Sequence, residues 1–282
     1  MQLIADSGST KTHWSLITRE GVENFQTMGL NPFFNGATMA EEEINKHPLL
    51  RQNLHHIREV HFYGAGCGYE KNIRMMTLAL QHAFPQANIR VDSDLLGAAR
   101  GLFLDQKGIA CILGTGSNSG LYNGKHIVRN TPALGYILGD EGSGNHLGKS
   151  LLKAYIHHDM PDDLRKKFRE QHPETPNALL YELYHHPYPN RFLAEFSLFI
   201  QQHMDHPFIH KMLGEVFGAF LALLKKHYPG EMLQSIRLTG SVAWNFRNIL
   251  EEKAQQMSMN ITRIEASPLK GLIQYHAAGS QI

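Results

Sequence analysis

The sequence predicts an α/β protein of two similar halves facing each other across a cleft. Three observations lead there. The chain has 282 residues, room for about two domains. Strand-like and helix-like runs alternate, and near residue 106 the alternation restarts on the same opening, a strand hairpin carrying small residues and threonine. Glycine-rich turns follow several of the strands. The expected division is 1–105 for the first domain and 106–282 for the second. The second carries a helical insertion and a final helix able to pack back on the first.

Element by element, "QLIADSG", "HWSLIT" and "ENFQTMG" read as an antiparallel meander. "TMAEEEINKH" is a helix, and "IREVHFYGAG" a strand rich in β-branched and aromatic residues that ends in glycines. "NIRMMTLALQHAF" has helical periodicity, "ANIRVDSD" is a strand, and "DLLGAARGLF" is a helix that begins at an acid. In the second half "GIACILG" is a near-continuous apolar run, as a strand buried on both faces would be. "NSGLYNG" and "KHIVRN" flank an Asn-Gly turn, a hairpin signal. Helices then dominate from Ser143 to about Tyr228, with breaks at proline. "SIRLTGS" is a strand, "VAWNFRNILEEKAQQM" a helix, "NITRIEA" a short strand and "PLKGLIQYHAAG" the last helix.

The formal charge of +1 creates no field that would recruit nucleic acid or an acidic membrane surface. The longest uncharged apolar run, Val216 to Leu224, is far shorter than the roughly 18 residues of a membrane span. No basic and apolar leader precedes the first strand, so the expected location is the cytoplasm. Cys67 and Cys111 lack metal-ligand or redox spacing and read as reduced, buried thiols. The 18 histidines are scattered and match no zinc pattern.

Four turns share a chemistry: "DSGST" (Asp6 to Thr10), "LGTGSN" (Leu113 to Asn118), "GDEGSG" (Gly139 to Gly144) and "LTGS" (Leu238 to Ser241). Glycine lets backbone N–H groups approach an anion, and Thr and Ser add hydroxyl donors. Any one of them alone reads as a tight turn. Together, with acids beside two of them, they point to a nucleotide site. "GSGNHLGKS" is not a Walker A loop, because five residues separate Gly142 from Gly148 where that motif needs four. Lys149 is then an ordinary helix residue. "GTGSNSG" misses the dinucleotide spacing by one residue.

Asp6 at the mouth of the first loop would repel phosphate unless a cation lay between them, and Mg²⁺ held through water resolves the conflict. Asp94, where a strand passes into a helix, is either an N-cap or a general base for a substrate hydroxyl. Asp92, on the same strand face, is the rival base. Asp140 and Glu141 could bind sugar hydroxyls or metal, or cap the following helix.

The ordered series Asp-x-Gly-x-Thr-Lys-Thr, "DLLGAA", "LGTGSNSGL", "GDEGSG" and "LTGSVA" resembles the N-acetylglucosamine kinase group of the BadF/BadG/BcrA/BcrD-type ATPase family. That family lies within the sugar kinase and actin-like ATPase superfamily. The resemblance implies two ribonuclease H-like domains, with ATP and substrate bound in a central interdomain cleft. It places Thr10, Lys11 and Thr12 in one phosphate loop and Gly114, Thr115 and Gly116 in another, with Gly240, Ser241 and Ala243 beside the adenosine. It makes Asp94 the base. Asn31, Ser117, Asn118, Leu134, Gly135 and Asp140 match sugar-side positions, with Leu134 where the mammalian enzyme is aromatic. Ser7 and Ser9 replace glycines of many relatives, and His13 replaces an acid. Because His13 alternates with Thr12 along a strand, it is expected to face away from the phosphates if Thr12 faces the cleft. The implied activity is ATP- and Mg²⁺-dependent phosphorylation of an amino sugar, N-acetylglucosamine to its 6-phosphate. The implied partner is a small-molecule sugar, without nucleic acid or membrane, and relatives suggest a homodimer. The alternatives are an ATPase that activates a dehydratase or reductase through an iron–sulfur cluster, and a sensing module without chemistry.

Overall fold

The structure, a computed structural model, describes residues 1–33 and 37–279. Its strands form two five-stranded sheets. The first contains β1 (Gln2–Ser7), β2 (Lys11–Ile17), β3 (Val22–Met28), β4 (Glu59–Gly64) and β5 (Asn88–Ser93), in the order β3-β2-β1-β4-β5. The second contains β6 (Gly108–Leu113), β7 (Ser117–Tyr122), β8 (Ile127–Asn130), β9 (Ile236–Thr239) and β10 (Ile261–Glu265), in the order β10-β9-β6-β7-β8. Read from β8, the second order repeats the first: three consecutive strands, then two more added beside the first of them. The two similar halves expected from the sequence are this repeat.

β1 runs antiparallel to β2 and parallel to β4, and side chains alternate between the sheet's faces. On one face Leu3, Ala5, Trp14, Leu16, Val60 and Phe62 pack with Ala40 and Ile44 of the helix Ala37–Lys46 and Met76 and Leu80 of the helix Glu70–Ala83. On the other, Ile4 and Tyr63 meet Leu269 and Leu272 of the helix Leu269–Gly279. At roughly 1.5–3 kcal/mol per fully buried large apolar side chain, these two layers stabilise the sheet that carries Asp6. Alternation places Asp6 on the second face, with Ile4, and Ser7 on the first.

The chain divides into two compact units. One comprises Met1–Cys111, Gly120–Arg129 and the stretch from Ser267; the other comprises Ile112–Ser119 and Asn130–Ala266. The expected boundary at 105/106 falls within the first of these units. The first unit takes back the β7–β8 turn, where Tyr122 Oη donates to the Leu104 carbonyl at 2.9 Å, and it contains the last helix. The single helix expected over 242–257 is two, Ser241–Asn245 and Arg247–Gln256. The break is at Phe246, whose buried ring lies 6.1 Å from that of Phe217.

Among the described residues one helix, Pro207–His227, is long and apolar enough to cross a membrane. Its residues Ile209, Leu213, Phe217, Leu221 and Leu224 are buried in the second unit, so it forms part of that unit's core.

Candidate active site

In the first unit the β1–β2 turn is braced from behind. Ser7 and Thr12 face each other across the strands, their hydroxyls 2.7 Å apart. Ser7 Oγ donates to the Leu30 carbonyl, Thr12 Oγ1 to that of Met28, and both accept from the Leu30 N–H. Both side chains are fully buried. Thr12 therefore does not present its hydroxyl to a phosphate; it holds the turn's shape. Gly29 closes on the same turn, and a Cβ there would stand 2.5 Å from the Gly8 carbonyl oxygen. Thr10 and Lys11 remain exposed on the turn. Asn31, nearly buried, donates to Ser9 Oγ at 3.1 Å and accepts from the Phe33 N–H at 3.0 Å.

Asp6 pairs in register with His13 on β2 and with Tyr63 on β4, and Tyr63 with Asp92 on β5. Directly paired residues point to one face, so these four side chains form a row. His13 thus lies on the Asp6 side. The condition for turning it away, Thr12 facing the site, is not met. Gln26 lies within 3.1 Å of His13 Nδ1, and burial, then Lys11, lowers the imidazole's pKa.

Asp94 starts the helix Asp94–Phe103, but the N-cap is Ser93, whose hydroxyl accepts from the Leu96 N–H. Asp94 accepts from the Leu95 N–H at 2.8 Å and from its own backbone N–H. Burial raises its pKa to about 6. Burial, and then the Asp94 charge, raises Asp6 to about 7. Both acids are closely surrounded by protein, yet each keeps some accessible surface. Asp92 instead pairs with Arg100 at 3.2 Å, and Arg100 also donates to Tyr63 Oη.

In the second unit the Gly114–Gly116 turn is tight, with the Gly114 N–H donating to the Gly116 carbonyl at 3.0 Å. The "GDEGSG" stretch is its buttress. The Gly144 N–H donates to the Gly114 carbonyl, and both the backbone N–H and Nδ2 of Asn145 donate to that of Thr115. Asp140, in the left-handed region at φ 61°, accepts from the Ser117 N–H at 3.2 Å and from Asn145 Nδ2 at 2.8 Å. Burial raises its pKa against the pull of those two donors. Ser143, not an acid, caps the helix Gly144–Ile156. Lys149 donates to the Tyr136 carbonyl. Gly240, at φ 114°, lets β9 end against β6, since a Cβ would lie 2.3 Å from the Leu113 carbonyl oxygen. Beyond it Ser241 is exposed but Ala243 is fully buried, so Ala243 offers no side-chain surface to an adenosine. Trp244, exposed and stacked by Arg247, is the aromatic surface there, which sequence reasoning passed over.

A small pocket in this unit gathers Ser117, Asn118, Leu134 and Asp140, four of the sugar-side positions. Its lining also includes the polar Ser119, Thr131 and Glu141 and the apolar Pro132, Ala133, Phe220 and Leu223. Gly135, at φ 70°, opens the short helix Gly135–Leu138 just beyond it. Sequence reasoning missed Phe220 and Leu223, whose only signal was helical periodicity. Both cysteines are buried, and burial pushes the Cys67 thiol up to about 12. Neither presents a surface thiolate for a shared cluster.

No family model matches the chain. A "putative N-acetylglucosamine kinase" of Porphyromonas gingivalis is 38% identical, over 99% of this chain and 100% of that one, with a TM-score of 0.92. A Chromobacterium violaceum protein with the same designation shares 15% identity over 97% and 98% of the two chains, at a TM-score of 0.72. A ROK family glucokinase of Streptomyces griseus, solved with glucose and AMPPNP, shares 14% identity over 100% and 99%, at 0.56. The latter two show the two-domain sugar kinase fold. With its repeated sheet, its two braced turns and this full-length similarity, the chain belongs to the N-acetylglucosamine kinase-like family.

Proposed function

We propose that the protein is an ATP-dependent kinase that transfers the γ-phosphoryl group to an amino sugar, N-acetylglucosamine, forming its 6-phosphate. The observation that carries this reading is Asp94. It is a carboxylate relieved of capping by Ser93, without an ion pair among the described residues, with a pKa near 6. Such a group is mostly ionised at pH 7 and basic enough to take a proton from a hydroxyl as its oxygen attacks phosphorus. Asp92, neutralised by Arg100, is the weaker candidate.

The remaining roles follow the geometry. Backbone N–H groups of the turn and the exposed side chains of Thr10 and Lys11 contact phosphate, while Ser7 and Thr12 keep that turn in shape. The Gly114–Gly116 turn does the same work in the second unit, fixed by Asn145 and Asp140. The pocket's polar lining suits sugar hydroxyls, and its apolar lining suits the methyl of an N-acetyl group. The carboxylates also fit a divalent cation. Asp6 and Asp94 are hard oxygen donors, and a cation beside Asp6 would oppose the burial that now favours its neutral form. Mg²⁺ would neutralise charge developing on the β- and γ-phosphates. Use of ATP as co-substrate supports a cytoplasmic location.

The test is ADP release with N-acetylglucosamine, glucosamine, N-acetylmannosamine, N-acetylmuramic acid and glucose. N-acetylglucosamine is expected to give the highest kcat/KM. No release above the no-sugar background with any of them would refute the kinase reading, and binding without release would indicate a sensor.

A further inference from the structure

Tyr228 follows the helix Pro207–His227 and is buried, its N–H bonded to the Leu224 carbonyl at 3.0 Å. Its hydroxyl belongs to a closed ring of three. Ser119 Oγ donates to Thr131 Oγ1 at 2.9 Å, and Thr131 Oγ1 donates to Tyr228 Oη at 3.1 Å. Tyr228 Oη, 2.9 Å from Ser119 Oγ, completes the circuit by donating to it. Tyr228 Oη also accepts the Thr131 backbone N–H at 3.0 Å. Every hydroxyl proton thus has an acceptor, the condition under which a buried polar network rigidifies its surroundings.

Two of the ring's members, Ser119 and Thr131, line the candidate sugar pocket themselves. Ser119 continues β7 directly from Ser117 and Asn118, which line it with polar groups. Thr131 opens the segment Thr131–Leu134, whose Pro132, Ala133 and Leu134 give it apolar lining. Phe220 and Leu223, also apolar lining, are on the helix that Tyr228 ends.

We propose that Tyr228 is a positioning residue for sugar recognition: through Ser119 and Thr131 its hydroxyl sets how the β7 residues Ser117 and Asn118 and the segment Thr131–Leu134 are placed relative to each other. This deepens the amino-sugar reading and rests on it. The phosphate-contacting turn, Gly114–Gly116, is braced separately by Gly144, Asn145 and Asp140. Loss of the Tyr228 hydroxyl should therefore weaken sugar binding and spare nucleotide binding.

The experiment measures N-acetylglucosamine and ATP affinities by calorimetry, together with ADP release, for wild type, Tyr228→Phe, Ser119→Ala and the double variant. Wild-type sugar binding without ADP release would defeat the kinase reading and leave the positioning role open to the same comparison. Losing one or two net hydrogen bonds, Tyr228→Phe is expected to raise the sugar Kd roughly five- to tenfold, with the ATP Kd within about twofold of wild type. Ser119→Ala should give the same split and carries the test if Tyr228→Phe does not fold. The double variant should be no worse than the poorer single, because the ring acts as a unit. Amide exchange at Thr131 should accelerate in Tyr228→Phe. Unchanged sugar affinity despite accelerated exchange would overturn the proposal, as would equal weakening toward sugar and ATP, or no sugar binding by the wild type.

Discussion

Replacing Asp94 by Asn separates proton transfer from architecture. The asparagine Oδ1 can keep the bond from the Leu95 N–H, and Ser93 still caps the helix, so the local backbone has no reason to move. What is lost is a proton acceptor, which for a positioned general base is worth about 10²–10⁴ in kcat, or about 3–5 kcal/mol of transition-state stabilisation. Stability should move the other way. The folded-state pKa is raised, from 3.8 to about 6, so folded protein binds the proton more tightly than unfolded chain does. That contribution is present at low pH and is lost as pH rises from about 4 through 6. At pH 7 the buried charge therefore costs on the order of 1–3 kcal/mol, which the neutral Asn relieves. The assay pairs ADP release at saturating sugar and Mg·ATP with a thermal melt. Expected are a kcat at least about a hundredfold lower and a Tm equal or higher. The wild-type rate should fall about tenfold per pH unit below about pH 6, and this limb should vanish in the variant. A kcat within about threefold of wild type, or a lost rate that tracks a lowered Tm, would refute the assignment.

Other perturbations test the bracing. Thr12→Val strips the Leu30 N–H and Ser7 of a partner and should cost about 1–3 kcal/mol, with a raised ATP KM; Thr12→Ser should restore both, as read by melting and ADP release. Asn145→Leu leaves Asp140 Oδ2 and the Thr115 carbonyl short of a donor, so a Tm loss of several degrees and roughly tenfold lower kcat/KM are expected. His13→Asp sets a second carboxylate directly across from Asp6 and should lower the Mg²⁺ concentration giving half-maximal rate severalfold; superimposable Mg²⁺ titrations would show that this position does not sense the cation.

The two similar halves were legible because each opens on a strand hairpin carrying small residues and threonine. Ser143 and Ser93 as caps were less so. Ser93 stands beside Asp94 and Ser143 two residues after Glu141, and only the N–H each serine accepts decides which residue caps. The role of "GDEGSG" was not legible at all. Its glycines and acids look like those of a phosphate turn, but Asn145 and Asp140 direct their donors and acceptors back onto Thr115 and Ser117. The Ser119–Thr131–Tyr228 ring joins residues up to 109 positions apart, beyond what any local pattern can report.

The first turn shows how a motif can be located correctly and still be read with the wrong face outward. "DSGSTKTHW" places Asp6 and Thr12 in one loop, but they belong to strands that alternate in opposite senses. Register decides which side chains share a face: Ser7 is opposite Thr12, and Asp6 is opposite His13. A threonine hydroxyl that donates to the Met28 carbonyl, accepts from the Leu30 N–H and lies beside Ser7 Oγ can be buried without leaving a polar group unsatisfied. An aspartate on the same face as Thr12 would have entered that layer without a counter-charge, at a cost of several kcal/mol. The sequence of polarities along β1 therefore forces Asp6 to the opposite face, and the strand pairing then puts His13 next to it.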